Sequence, residues 1–238
     1  MGECSVRRGI MLLIFGWCAC WTVFILQFIQ ECNADACLGV ATMSTGSTIT
    51  QISFPYALAG TNLLVEGIGI YEGPFLEDGS NRPTCNTAAL MVKNLSASSI
   101  ERCGIILEIA GEVYAFEAYG IPPEQRVYII EAEMKQYNTE PITICAGWSV
   151  EEDLTEMAQT LNIEECGGEY LKVTNITNQT LPAFRVLYKS FDCESGIYIG
   201  GVCQEIEVGE LTAGQSVMIQ PYRYVHGYSK VVGIMQLD

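Results

Sequence analysis

The chain holds 238 residues, enough for one or two domains of ordinary size, and its 49% hydrophobic content supports real cores rather than disorder. Acids outnumber bases 28 to 12, for a net charge of −16. So acidic a chain repels nucleic acid and anionic headgroups, which excludes a nucleic-acid partner and leaves a cationic partner, or plain solubility, as the meaning of its charge.

The first element is apolar. Residues 9–29 (GIMLLIFGWCACWTVFILQFI) carry no charge and only Thr22 and Gln27 as polar side chains. At about 1.5 Å per residue the segment is long enough for a bilayer core of roughly 30 Å, which makes the membrane a partner through residues 9–29. Arg7 and Arg8 precede it, and Glu31 and Asp35 follow. The positive-inside rule then keeps the N-terminus in the cytoplasm and places everything after it outside the cell. A cleaved signal peptide stays open beside the uncleaved anchor, because Ala34-Asp35-Ala36 has the A-x-A form of a cleavage site, although the apolar run exceeds the usual 7–15-residue core of about that size. A lipoprotein signal fits less well, since Cys37 lacks the Leu expected three positions before it. Both leading readings export the remainder, single-pass with the C-terminal part extracellular, or secreted after Ala36. Residues 1–36 therefore read as anchor or signal, and residues 37–60, rich in Gly, Ser and Thr, as a stalk.

Export bears on the eleven cysteines. Cys4, Cys18 and Cys20 belong to the leader, and eight follow it, an even number that permits disulfides; buried free thiols are the competing reading. No C-x2-C pair exists, so a structural zinc site lacks its ligands.

From residue 61 onward the pattern is short strands. Thr61–Tyr71 is a strand-like run, and Glu72–Pro83 is turn-rich around Asp78-Gly79. Strands follow near 88–94, 100–109, 112–118 and 125–134, with 141–148 closing the set, and again near 170–175, 183–190, 197–208, 216–222 and 230–237. Only Glu151–Leu161 reads as a helix, with Leu154, Met157, Ala158 and Leu161 on one face and acids at its start. The two sets are one pattern repeated. Val92-Lys93-Asn94-Leu95-Ser96 answers Val173-Thr174-Asn175-Ile176-Thr177, and Ile100–Glu108 answers Leu181–Lys189 without a gap. Ile121–Ile129 answers Leu211–Ile219, nine residues further apart, so the second copy carries an insertion at 190–201. The expected fold class is all-β: two tandem antiparallel Ig-like β-sandwich domains, 61–148 and 149–238, joined by a short helical linker and preceded by one N-terminal transmembrane helix.

The stretch Gly69–Ser80 (GIYEGPFLEDGS) and the strand Ala88–Asn94 resemble the first half of a group of envelope proteins of Gram-positive, clostridia-like bacteria. Tyr188-Lys189, Gly200-Gly201 and Leu211-Thr212-Ala213-Gly214 are similar to its second half. The likeness covers roughly residues 69–237. Phe184-Arg185-Val186-Leu187-Tyr188 is also faintly similar to FxLYD-type β-sandwich domains, with Lys189 where that name expects Asp. The resemblance implies export and fold but no mechanism.

The catalytic inventory is thin. His226 is the sole histidine, in the tyrosine-rich loop 221–229, and reads as a solvated surface group rather than a triad member or metal ligand. Carboxylates neighbour each other at Glu72/Glu77/Asp78, Glu151/Glu152/Asp153 and Glu164/Glu165, as they must with 28 acids. Gly67, Gly69 and Gly73 miss the phosphate-loop spacing. Asn94, Asn175 and Asn178 open glycosylation sequons, but a turn-forming Asn explains the first two better, since they share one place in the repeat. Tyr222, Tyr224 and Tyr228, at i, i+2 and i+6, can share one face of an extended segment and form a candidate binding loop for a protein or glycan partner, with packing as the competing reading. Cys193 and Cys203 bracket the insertion and are the candidate disulfide, with independent thiols as the alternative. These features point to a non-catalytic exported surface module without cofactor. An exported carboxylate-based hydrolase acting on glycans is the alternative.

Overall fold

Strands at the expected spacing organise the chain. The structure is a computed structural model that describes residues 52–152 and 157–237, within one unit, Ile49–Asp238. In the first repeat lie β1 (Tyr56–Ala57), β2 (Leu63–Tyr71), β3 (Thr87–Asn94), β4 (Ser99–Ile109), β5 (Glu112–Ile121), β6 (Arg126–Ile130) and β7 (Ile142–Glu152). The second holds β8 (Leu161–Glu165), β9 (Leu171–Asn175), β10 (Phe184–Asp192), β11 (Ile197–Val208), β12 (Ser216–Ile219) and β13 (Ser229–Gln236). Alternation makes the strands two-faced. In β4, Cys103, Ile105, Leu107 and Ile109 are buried, while Arg102, Gly104, Ile106 and Glu108 face outward.

The fold is all-β, a sandwich-like stack of several sheets. One sheet has seven strands in the order β1-β2-β3-β6-β11-β10-β13, and two have three, β5-β4-β7 and β12-β9-β8. A first core fills the space between β2, β3, β6 and β4, β5, β7, built on Val65, Leu90, Val92, Ile105, Phe116 and Val127. A second lies between β8, β9, β12 and β10, β11, β13, built on Leu171, Val173, Phe184, Val186 and Tyr224.

The repeat is visible residue by residue. Ile100 pairs with Ile121 as Leu181 bridges Leu211, and Cys103 pairs with Ala118 as Phe184 pairs with Val208. β2-β3-β6 thus corresponds to β8-β9-β12, and β5-β4-β7 to β11-β10-β13. The insertion has a structural consequence: the first copy turns at Ala110-Gly111, directly after Ile109 pairs with Glu112, whereas the second runs on until Asp192 pairs with Ile197. In that extension Tyr198 and Ile199 pair in parallel with Val127 and Tyr128 of β6. The inserted residues therefore fuse half of each repeat into one seven-stranded sheet.

Three sequence expectations change. The helix at 151–161 is absent from its described residues: Glu151 and Glu152 end β7 against Ile100 and Ser99, Met157–Thr160 form one 3-10 turn, and Leu161 starts β8 against Asn175. So short a helix is marginal on its own, and ladder pairing at both ends takes its residues. The strand expected to end at 148 runs on to Glu152. The stalk expected over 37–60 gives up its last part, because the Ile52 amide donates to the Ile142 carbonyl, Leu58 is buried, and Tyr56–Ala57 pairs with β2. The apolar segment 9–29 lies outside the described residues.

Candidate functional site

The two repeats meet at a bulge. Tyr188 pairs with Gln204 and Ser190 with Ile199, so residues 200–203 of β11 stand opposite Lys189 alone. Their peptide groups leave the ladder and need other partners. The Lys189 Nζ donates to the carbonyls of Gly201 at 2.8 Å, Val202 at 3.0 Å and Tyr119 at 2.9 Å. The amides of Gly201 and Val202 donate to the two oxygens of Glu77 at 2.8 and 3.0 Å, and the Ile130 amide of β6 donates to Glu77 Oε1 at 3.0 Å. A lysine and a glutamate, each reaching into the other repeat, thus satisfy backbone groups that the bulge takes out of the ladder. Gly201 is demanded by the approach: a Cβ there would lie 1.8 Å from the Glu117 carbonyl oxygen.

Burial sets the electrostatics of this clasp. Lys189 is 1% exposed, and burial pulls its ammonium below the ordinary lysine value, against the opposing pull of Cys203, Glu77 and Cys103. Burial raises the Glu77 carboxyl, while the three amides and Lys189 hold it down. Burial also pushes the Cys103 thiol up to about 12 and raises that of Cys203. The three ammonium donors go to carbonyls and both Glu77 oxygens accept from amides, so lysine and glutamate together hold the backbone of the bulge.

Beside it lies the tyrosine loop, and the expectation of three tyrosines on one face is corrected. Tyr222 and Tyr228 are 69% and 65% exposed, whereas Tyr224 is 2% exposed in the second core. Tyr224 packs edge-on against Tyr188, centroids 5.7 Å apart, and donates its hydroxyl to Glu165 at 2.5 Å. Burial and Glu165 both raise its phenol pKa. The Tyr188 hydroxyl donates to the Tyr222 carbonyl at 2.7 Å, and Arg223 donates to Gly79 O and Asn81 Oδ1 of the first repeat at 2.6 and 3.0 Å. The loop is thereby fixed while two rings stay open. His226, read as a lone surface group, instead pairs through Nδ1 with Glu165, its ring still largely exposed.

The other candidates separate. Cys193 and Cys203 are both free thiols. Cys193 lies beyond the Asp192–Ile197 pair and Cys203 beside the Gln204–Tyr188 pair, four or more positions along the ladder, roughly 13 Å or more against the 7 Å a disulfide allows. Asp78 binds the Ser80 amide and Arg82, Glu151 binds Asn62 and Ser96, and Glu164 binds Lys172 and Asn162. Asn94 and Asn175, both 0% exposed, hold the same turn in each repeat. Asn94 Nδ2 donates to Ser98, Ile121 and Pro122 carbonyls, and Asn175 Nδ2 to those of Gln179, Leu211 and Thr212. Among the described residues no group of three or more His, Cys, Asp or Glu is placed to hold a metal ion. No protein-family model matches the chain, and a search of curated proteins finds no match.

Proposed function

We propose that this chain is a non-catalytic exported surface protein, a structural or binding module of the cell envelope. In this reading residues 9–29 hold it in the membrane, or it is released after Ala36. Each repeat is an Ig-like sandwich, and the fused pair presents the 221–229 loop to a protein or glycan outside the cell. The observation that carries the reading is the pair of exposed rings, Tyr222 and Tyr228, on a loop pinned from both repeats by Tyr188 and Arg223. Exposed aromatics on a rigid loop gain contact area with little entropy to lose on binding. The resemblance to Gram-positive envelope proteins supports the location.

Protease added to intact cells tests it. The reading expects degradation of the part beyond residue 36, and a fully protected protein refutes it. Envelope fragments captured by the wild type and lost with Tyr222→Ser and Tyr228→Ser support the loop. Glycan hydrolysis abolished by replacing a pair of facing carboxylates would move the assignment to the hydrolase alternative.

A further inference from the structure

The two copies differ at one sheet edge. In the first, β6 is covered on the side away from β3, where Tyr198 and Ile199 of β11 pair in parallel with Val127 and Tyr128. In the repeat Val217 answers Val127 and Met218 answers Tyr128, so β12 is the counterpart of β6. Among the described residues β12 pairs with β9 alone and is the outer strand of its sheet. Burial follows the pairing. Val127 and Ile129 are 0% exposed, whereas Met218 is 52% exposed and Val217 is only partly buried.

This edge presents peptide groups and no charge to guard them. The Asn175 amide donates to the Gln215 carbonyl, and an antiparallel ladder repeats such bonded pairs at every second residue. Val217 and Ile219 therefore bond to β9, while the peptide groups of Ser216 and Met218 point away from it. Such an edge is a template for another strand, and proteins commonly blunt it with charged side chains. Apart from the two-residue β1, the other outer strands carry them: Glu117 in β5, Glu152 in β7, Glu165 in β8 and Lys230 in β13. Residues 211–222 (LTAGQSVMIQPY) have none, in a chain of net charge −16.

From this we infer that β12 pairs with β12 of a second copy of this chain, antiparallel and across a two-fold axis. The occupant follows from charge and register. Two copies this acidic repel each other, and the uncharged stretch is where their backbones approach at least cost. Facing residues of an antiparallel pair must share a face of the sheet, so the axis passes through Val217 or Met218. In either register outward peptide groups meet outward peptide groups: Ser216 faces Met218 of the second copy, or Met218 faces its own counterpart. The β12-β9-β8 sheet then continues from one copy into the other. A strand of a different protein is the less favoured occupant, because it needs a complementary sequence of its own, whereas the two-fold pairing needs only what one copy carries. An edge making about four hydrogen bonds buries less than the roughly 1,200 Å² of a stable interface, so the pair is weak and reversible. The inference does not depend on the exported-module reading.

Sedimentation velocity of the full chain in non-ionic detergent, from about 1 µM to about 500 µM, tests the inference. A monomer is expected at the low end and a dimer at the high end, with more dimer as salt screens the repulsion between copies. Ser216→Pro removes an outward amide, a change that an edge strand tolerates, and Met218→Glu sets like charges against each other across the axis. Each should weaken dimerisation by about tenfold or more, whereas Tyr228→Ser, outside the edge, should leave it unchanged. Unfolding midpoints within a few degrees of wild type show that the variants fold; should Ser216→Pro not fold, Met218→Glu decides alone, because that side chain is half exposed. A chain that stays monomeric at every concentration overturns the inference and leaves the edge to a strand of a different protein. Association that survives both edge substitutions overturns it as well, as does a dimer abolished by Tyr228→Ser. Protease accessibility on cells reads export separately, so either result there leaves this inference standing.

Discussion

Replacing Lys189 with Met should be among the more damaging side-chain truncations in the chain. Methionine keeps most of the apolar stem but removes three donors, leaving the carbonyls of Tyr119, Gly201 and Val202 without the bonds that pair them. Breaking one side of a buried charged network costs about 3–5 kcal/mol. For a body the size of Ile49–Asp238, at roughly 2–4 °C per kcal/mol, the midpoint should fall by about 6–20 °C. Glu77→Gln in the same background should cost less than the two single losses added together, because the second change removes a carboxylate that has already lost its cation. The pH dependence has a definite sign. Burial depresses the folded-state pKa of Lys189, so between that value and the ordinary lysine value the unfolded chain binds more protons. Lys189's contribution to stability is therefore fully present above the ordinary value and is lost as pH falls through the folded one. Glu77 runs oppositely: its raised folded pKa makes stability fall as pH rises from the ordinary carboxylate value through the folded one. Urea unfolding of wild type and Lys189→Met from acid to alkaline pH reads both. A loss under about 1 kcal/mol, or a gap between the two proteins that does not widen on the alkaline side, would refute the clasp.

Asn94→Ala and Asn175→Ala each remove three donated bonds from a buried amide and should each cost about 2–4 kcal/mol by urea titration, within about 1 kcal/mol of one another if the copies are equivalent. Gly201→Ala should leave little folded protein, as its Cβ meets the Glu117 carbonyl, whereas Gly67→Ala, with open space around it, should stay within about 1 kcal/mol of wild type in thermal unfolding. Alkylation followed by mass mapping should label the exposed Cys85, Cys166 and Cys193 in the native protein. Cys103 and Cys145, whose thiols burial pushes up to about 12, should label only after unfolding, with no Cys193–Cys203 bond at any stage.

Much of the architecture was legible because a repeat states its registers twice. Aligning Ile100 with Leu181 and Ile121 with Leu211 yields pairings that the ladders reproduce. The bulge lies at Gly200-Gly201, where paired glycines are an ordinary bend signal. What the bulge needed was less visible. Strand alternation places Lys189 on the face opposite Tyr188, and an exposed lysine is the ordinary reading; both are buried because β10 has a core on each side, Leu187 and Phe191 joining the first and Val186 and Tyr188 the second. Glu77 sat among turn residues with nothing local to mark it, since its partners lie far along the chain at Ile130, Gly201 and Val202. Trp148 was readable only as the end of a strand, because its partner Gly104 comes from β4, and pairing across strands is not written in local spacing. The Glu151–Leu161 helix failed for the converse reason: local periodicity was present, and long-range ladders overrode it.

Comparing the copies separates what the fold demands from what it merely permits. Both keep the buried asparagine, the amide that reaches back to the Gln125 or Gln215 carbonyl, and a left-handed residue in the turn, Glu124 at φ 60° in one and Gly214 at 71° in the other. These positions close a sandwich end and would be kept whatever the protein did. The copies part company at three places. The first has Gly104, Trp148 and Arg102 where the second has Arg185, Met235 and Ala183. The second has the long β10–β11 hairpin, which turns two sandwiches into one body. It also has the pinned tyrosine loop before β13. A duplicated chain starts with two equivalent surfaces, so features present in one copy and dispensable in the other are not explained by folding. The hairpin is accounted for by assembly of the two halves. Neither the Trp148–Arg102–Tyr119 face nor the 221–229 loop has such an account.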